Sequence, residues 1–132
     1  MFLNSALTHG PGATGTEVAV GDAAATYVAR SSGNIGQFDN VGYINCRMDS
    51  HVASVGWADA VSAGQPMPNP ETPSAESGWK EYGSTDLDGN ALDLGQRSTS
   101  AYVLTNTEYE AGYATRDLIF ADYGTTGWSP TP

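Results

Sequence analysis

A short internal repeat constrains the fold of this chain more than any other feature of its sequence. Residues 2–8 and 43–49 match position by position as aromatic, aliphatic, Asn, small, variable, aliphatic and polar. Such a repeat is typical of parallel strands that stack in register, with like residues over like. We therefore predict that the two segments are parallel neighbours on one sheet, with Asn4 and Asn45 in one ladder.

The spacing of apolar segments extends this prediction to the whole fold. Residues 26–30 form a further apolar strand between the two repeats, and rungs of about 20 residues are typical of a right-handed β-helix. The predicted fold is all-β: a right-handed parallel β-helix (solenoid) fragment with short C-terminal helices and a long Pro-rich loop. An antiparallel β-sandwich, in which the repeat is a chance similarity, is the alternative.

The chain divides into three parts of one predicted structural unit. Residues 1–57 are interpreted as the last β-helix rungs, residues 58–77 as a loop with four prolines, and residues 78–132 as a C-terminal strand, turn and helical cap. Thr105 and Glu108 have the spacing of a capping box, and Thr115 predicts the start of a second short helix. Such helices would cover the last open strand edge.

The charge balance excludes several classes of partner. Fifteen acidic residues against five basic residues give a formal charge of -10. Nucleic acids and anionic membrane surfaces are bound through clustered Lys and Arg, whereas the basic residues here are scattered. No apolar run approaches the ~18 residues of a membrane-spanning helix. We therefore predict neither a nucleic-acid partner nor a membrane partner.

Two groups of candidate metal ligands have simpler interpretations. Four oxygen-bearing side chains within eight residues resemble the start of a calcium loop: Asp86, Asp88, Asn90 and Asp93. However, the EF-hand pattern needs Gly at its sixth position and Glu at its twelfth, where this chain has neither, so an ordinary Asp-Gly turn is predicted. Asp49 and His51 are interpreted as a surface or hydrogen-bonded structural pair.

Cysteine and tryptophan usage adds no cofactor. Cys46 is the only cysteine, which excludes an internal disulfide and a multi-cysteine zinc site. Each tryptophan follows a glycine, and buried packing is expected for Trp57, Trp79 and Trp128, with sugar stacking by one of them as the alternative. No metal and no cofactor is predicted.

Arg30 is the candidate functional residue. It ends an apolar strand in a chain that has only five basic residues. A guanidinium at a strand end can form a bidentate contact with a carboxylate of a substrate or of a catalytic Asp. The alternative is an exposed arginine that only keeps the strand edge hydrated.

Several short motifs, taken in order, resemble a known family. They are Ile35-Gly36-Gln37, the run from Tyr43-Ile44-Asn45 through Met48-Asp49-Ser50-His51, Gly56-Trp57, Lys80-Glu81-Tyr82, Asp88-Gly89-Asn90, Arg97, Leu104-Thr105, Glu110-Ala111, Tyr113 and Gly127-Trp128-Ser129-Pro130. In this order they resemble the C-terminal part of bacterial pectin methylesterases, over nearly the whole chain.

The resemblance implies a fold, a reaction and a role for Arg30. The family consists of right-handed parallel β-helices that hydrolyse methyl esters of galacturonate with two Asp residues, oxyanion-binding Gln residues and an Arg that orients the nucleophilic Asp. An ionised Asp held by Arg can attack an ester carbonyl. Val28-Ala29-Arg30 matches the family's arginine segment in its aliphatic residue and its Arg. By this match Arg30 is a catalytic residue, and the catalytic Asp and Gln segments are missing from this chain.

The same resemblance predicts the setting of the protein. The chain lacks the basic start and apolar stretch of a secretory signal, and residues 2–8 already have the pattern of a strand. We expect the C-terminal part of a secreted, extracellular enzyme whose partner is pectin or another methylated polyuronate. An open N-terminal rung would also allow association with another chain. A non-catalytic β-solenoid that binds polysaccharide or builds an assembly is the alternative.

Overall fold

Parallel pairing of very short strands organises the part of the chain that this computed structural model describes, residues 1–10 and 26–121. The strands are β1 (Phe2–Leu3), β2 (Ala6–Leu7), β3 (Ala29–Arg30), β4 (Asn40–Ile44), β5 (Arg47–Met48), β6 (Trp57–Ala58), β7 (Gly78–Tyr82) and β8 (Ala101–Val103). They form a four-stranded sheet in the order β1-β4-β7-β8 and two strand pairs, β2-β5 and β3-β6. A 3₁₀ helix (Leu94–Gln96) and two α-helices, α1 (Asn106–Gly112) and α2 (Arg116–Ile119), complete the described elements.

The parallel pairing of the internal repeat is confirmed in register. In the four-stranded sheet Phe2 lies opposite Tyr43, and in the β2-β5 pair Leu7 lies opposite Met48. The repeat is divided between two sheets because the chain turns after β1 and after β4, at Asn4 (φ 47°) and Asn45 (φ 51°). Asparagine tolerates this left-handed conformation better than most residues, which explains its place in both copies.

Gly83 occupies the corresponding position after β7. Its φ of 61° lies in the same left-handed region, and a Cβ there would come 2.3 Å from the Asn45 side-chain oxygen. The Asn45 side chain is itself held in place, because its amide donates to the Tyr109 hydroxyl at 3.1 Å. A side chain at residue 83 would therefore collide with the Asn45 side chain, so this position requires glycine.

The predicted β-helix is wrong. The described chain is a small mixed fold of short parallel strands in small sheets with two short helices. β1 pairs directly with β4, and the expected intervening strand, β3, belongs to a different sheet. The strands are only two to five residues long, and two of the three sheets have only two strands. Such short elements do not build the continuous faces of a solenoid. The antiparallel sandwich is wrong as well, because every strand pair among the described residues is parallel.

The local predictions for the second half of the chain are met in part: the loop was predicted from residue 58, but Ala58 belongs to β6. Residues 59–77 contain no helix or strand. The capping box is confirmed: the Thr105 hydroxyl accepts from the Glu108 backbone, and the Glu108 carboxylate accepts from the Thr105 backbone. Thr115 caps the second helix, as predicted. No helix among the described residues is long and apolar enough to cross a membrane.

Aromatic stacking holds the core together. Trp57 and Trp79 are fully buried, with ring centroids 5.3 Å apart and planes 14° from parallel, and Tyr43 meets Trp57 edge to face. The expectation of buried packing is therefore confirmed for these two tryptophans, whereas Trp128 lies outside the described residues. Cys46 is buried beside them, and burial raises the pKa of its thiol.

Lys80 is a buried charged group whose side chain lies on the opposite face of the strand from that of Trp79. It is fully buried in β7, and its Nζ donates to the Asn40 Oδ1 at 2.6 Å. Burial lowers the pKa of Lys80 to about 8, although the nearby Glu76 carboxylate opposes the shift. The folded state therefore releases this proton at a lower pH than the unfolded chain does.

The sign of the resulting pH dependence follows from proton linkage. Between the folded and unfolded pKa values the unfolded chain binds more protons, so the Lys80 contribution stabilises the fold as pH rises. From pH 7.5 to 9.5 we expect this contribution to the free energy of unfolding to increase by about 1–2 kcal/mol. Chemical denaturation at both pH values, on the wild type and on Lys80→Met, measures it as a difference. The Cys46 contribution has the opposite sign but is common to both proteins. Equal pH dependence in the two proteins would contradict the prediction.

Candidate functional site

The β3-β6 strand pair places Arg30 at the edge of a groove. Arg30 lies opposite Ala58 in this parallel pair, and the Val28 backbone donates to the Gly56 carbonyl at 2.8 Å just before it. Arg30 is exposed. Its backbone is therefore fixed by the ladder while its side chain is directed out of the sheet toward solvent.

The groove combines three polar side chains with a floor of small residues. It has a volume of about 540 Å³, and its lining consists of Tyr27, Ala29, Arg30, Ala58, Ala63 and Gln65. Arg30 Nη1 donates to the Gln65 Oε1 at 3.4 Å, which is long for such a bond. A guanidinium has five donor hydrogens, so most of its donor capacity is not used by Gln65. The site offers an aromatic ring, a cation and an amide around an open apolar floor.

Asp59 is the carboxylate closest in sequence to the groove floor, but it is committed to the fold. It is buried, and its Oδ1 accepts from the Ser62 backbone at 2.8 Å while its Oδ2 accepts from the Ser98 hydroxyl. Burial raises the pKa of Asp59, but the hydrogen bonds from Ser98 and Ser62 outweigh it, and the net pKa is lowered. Both carboxylate oxygens of Asp59 therefore accept hydrogen bonds from the protein, and the residue holds the loop in place. No carboxylate lines the groove among the described residues.

The other sequence-derived candidates do not line this groove. The Asp86 carboxylate accepts from the Asp88 and Asn90 backbones and from the Asn90 amide, so the Asp-Gly turn is confirmed. These bonds lower the pKa of Asp86, the amide contact most strongly. Asp93 instead caps the 3₁₀ helix. Asp49 and His51 lie close together with His9, which no sequence motif connects with them.

Two groove residues were missed from the sequence. Tyr27 was assigned to the strand that contains Arg30, without a separate role, although its position three residues before Arg30 was visible. Gln65 lies in the Pro-rich segment and reaches Arg30 across 35 residues of chain. No sequence pattern pointed to that contact.

Comparison with known proteins does not place the chain in a family: no family model, no curated protein and no solved structure matches it.

Proposed function

We propose that the groove beside Arg30 binds a uronate unit of a partly methyl-esterified polyuronate, and that the chain is part of a pectin methylesterase. The observation that carries the proposal is the lining of the groove by Tyr27, Arg30 and Gln65. A guanidinium forms bidentate contacts with a sugar carboxylate, and an aromatic ring packs against a sugar face. The order of motifs that resembles pectin methylesterases supports the same substrate class.

The size and floor of the groove suit a saccharide. Small-molecule sites commonly have volumes of about 300–1,000 Å³, and this groove lies within that range. Ala29, Ala58 and Ala63 leave space for a ring that would collide with larger side chains. The amide of Gln65 supplies both a donor and an acceptor for sugar hydroxyls.

The overall charge bears on which form of the polymer would bind. At -10 the protein repels a fully ionised polyuronate, whereas a methyl-esterified chain is largely neutral. Arg30 then needs only one free carboxylate among esterified neighbours. We therefore expect tighter binding of a partly methylated oligogalacturonide than of the fully de-esterified one at low salt.

The role of Arg30 is tested by substitution. Arg30→Ala removes the charge-assisted contact, and we expect binding of a partly methylated oligogalacturonide to weaken about 10- to 100-fold. Arg30→Lys keeps the charge but loses the planar fork, so it restores only part of the affinity. Isothermal titration calorimetry on the 132-residue chain measures both. Arg47→Ala is the matched control, because Arg47 is also exposed at a strand position but does not line the groove. Equal binding by Arg30→Ala and Arg47→Ala would contradict the proposal.

One observation favours a second candidate, a non-catalytic polysaccharide-binding module. The described lining of the groove contains no carboxylate that could act as nucleophile or as acid/base. Methanol release from methylated pectin separates the two functions. We expect the chain by itself to bind without releasing methanol. Release that survives Arg30→Ala would locate the catalytic carboxylates elsewhere in these 132 residues.

A further inference from the structure

Two histidines and one aspartate meet on the β2-β5 side of the molecule, outside the Arg30 groove. One ring nitrogen of each of His9 and His51 and one carboxylate oxygen of Asp49 all lie within 4.8 Å of one another. The His9 Nδ1 is 2.7 Å from the Asp49 Oδ2, and the two imidazole rings have centroids 5.4 Å apart.

The register of the repeat brings these residues together. Leu7 lies opposite Met48 in the β2-β5 pair, and the Asp49 backbone donates to the Leu7 carbonyl at 3.0 Å. Asp49 therefore directly follows β5, and His9 lies two residues after the end of β2, the strand that pairs with it. His51 belongs to the turn that follows, which is closed by a bond from the Val52 backbone to the Asp49 carbonyl at 3.1 Å. The backbones of all three residues, which follow two paired strands, are thus held close together.

His51 supplies an independent indication of a ligand. It is only 8% exposed, and its Nδ1 is buried with no hydrogen-bond partner among the described residues. Leaving a buried polar nitrogen unpaired is unfavourable, so an unpaired position of this kind calls for an explanation. A metal ion bound to one nitrogen of the His51 ring would give the imidazole a partner and restrain the orientation of the ring.

Asp49 is prepared to act as the anionic member of the group. Its Oδ1 accepts from the Ser50 backbone at 2.7 Å, which leaves the Oδ2 on the side of His9. The Ser50 backbone bond is the largest of the influences that together lower the pKa of Asp49, with His9 adding to it. The Oδ2 beside His9 is therefore placed as a carboxylate ligand for a metal ion.

We propose that His9, Asp49 and His51 form a binding site for one divalent transition-metal ion of the Zn²⁺ class. Two imidazoles and a carboxylate suit Zn²⁺, whereas Ca²⁺ and Mg²⁺ prefer oxygen ligands alone. Ligand atoms around tetrahedral Zn²⁺ lie about 3.4 Å apart, given bonds of about 2.0–2.1 Å. The three ligand atoms, within 4.8 Å of one another and with His9 and Asp49 at 2.7 Å, would move to that spacing as the ion binds. The ion would join the end of β2 to the turn after β5, where the strand ladder itself is only two residues long.

Calorimetric titration of the metal-stripped 132-residue chain with ZnCl₂ tests the proposal. We expect one ion per chain and at least about a tenfold loss of affinity in each of His9→Gln and Asp49→Asn. His51→Gln should lose affinity similarly. Because His51 is buried, this variant could fail to fold; His9 is partly exposed, so His9→Gln still tests the site in that case. Asp88→Asn is the matched control for charge, because it removes one exposed carboxylate elsewhere and should bind Zn²⁺ as the wild type does.

Two further readouts distinguish this site from general attraction of cations to an acidic protein. Co²⁺ bound in place of Zn²⁺ should give visible absorption bands that disappear in His9→Gln, and Zn²⁺ should raise the melting temperature of the wild type but not of that variant. Absence of saturable Zn²⁺ binding, equal binding by His9→Gln and the wild type, or equally tight binding of MgCl₂ would each overturn the proposal.

Discussion

Glu81→Gln should destabilise the protein by about 3–5 kcal/mol, since it breaks a buried ion pair from one side. Glu81 is completely buried in β7, and the Arg97 side chain is only 5% exposed. Arg97 Nε donates to the Glu81 Oε2 at 2.8 Å, and Nη2 donates to Oε1 at 3.0 Å. The neutral amide keeps the shape of the carboxylate but leaves the guanidinium charge buried without its counterion.

The pair also links separate parts of the fold. Arg97 Nη1 donates to the Ser54 carbonyl at 2.7 Å, so the guanidinium connects β7 to the turn before β6. Gly56 allows the approach: its φ is 69°, and a Cβ there would lie 2.8 Å from the Arg97 Cδ. Loss of the pair should therefore loosen the β3-β6 pair and the Arg30 groove built on it.

Urea denaturation followed by circular dichroism measures the effect. Glu110→Gln is the matched control, because Glu110 is exposed on α1 and its substitution should change the free energy of unfolding by less than about 0.5 kcal/mol. The double variant Glu81→Met/Arg97→Met should recover much of the loss, since apolar residues of similar volume often replace a buried pair without cost. A Glu81→Gln protein within about 1 kcal/mol of the wild type would show that the pair does not hold these elements together.

Trp79→Ala is the second substitution with a large expected effect, again about 3–5 kcal/mol. Trp79 has no exposed surface, and its ring stacks on that of Trp57. Removing it leaves a cavity in the core beside the Trp57 ring. The cost is the lost burial of the ring together with the cavity that the fixed strands cannot close.

The chemistry of the indole sharpens this prediction. The Trp79 Nε1 is buried with no hydrogen-bond partner among the described residues. Trp79→Phe removes that unpaired donor and keeps most of the stacking, so its cost should be well below that of Trp79→Ala. Phe38→Ala, at a side chain that is 74% exposed, is the control and should be nearly neutral. Chemical denaturation of the three variants, followed by far-ultraviolet circular dichroism, measures these costs. Equal losses in the Phe and Ala variants at position 79 would contradict the packing argument.

The sequence predicted pairing better than architecture. The internal repeat specified both register and strand direction, because equivalent asparagines at left-handed turns and equivalent apolar residues recur in the same order. The capping box of α1 and the Thr115 cap of α2 are local patterns and were equally readable. The step from one repeat to a solenoid failed, since it depended on which strand lies next to which, and β3 pairs with β6 instead of entering the sheet between β1 and β4.

For the sites, as for the fold, residues close together in sequence could be predicted, whereas contacts between distant segments could not. Arg30 was identifiable as a strand-end cation, but its neighbour Gln65 reaches it from an irregular segment that has no periodicity. The histidine cluster was closer to being readable: extending the repeat past residues 8 and 49 aligns His9 with Ser50, between Asp49 and His51. The Glu81–Arg97 pair joins a strand to a segment after the 3₁₀ helix, and no motif signals that contact.

Nuclear magnetic resonance titration of the 132-residue chain with a partly methylated oligogalacturonide tests the central claim most directly. If the Arg30 groove is the binding site, the largest backbone amide shifts should occur at residues 27–30, 58 and 63–65, and they should be lost in Arg30→Ala but kept in Arg47→Ala. Shifts centred on other parts of the chain, or no shifts at saturating ligand, would contradict the assignment of this groove to polyuronate binding.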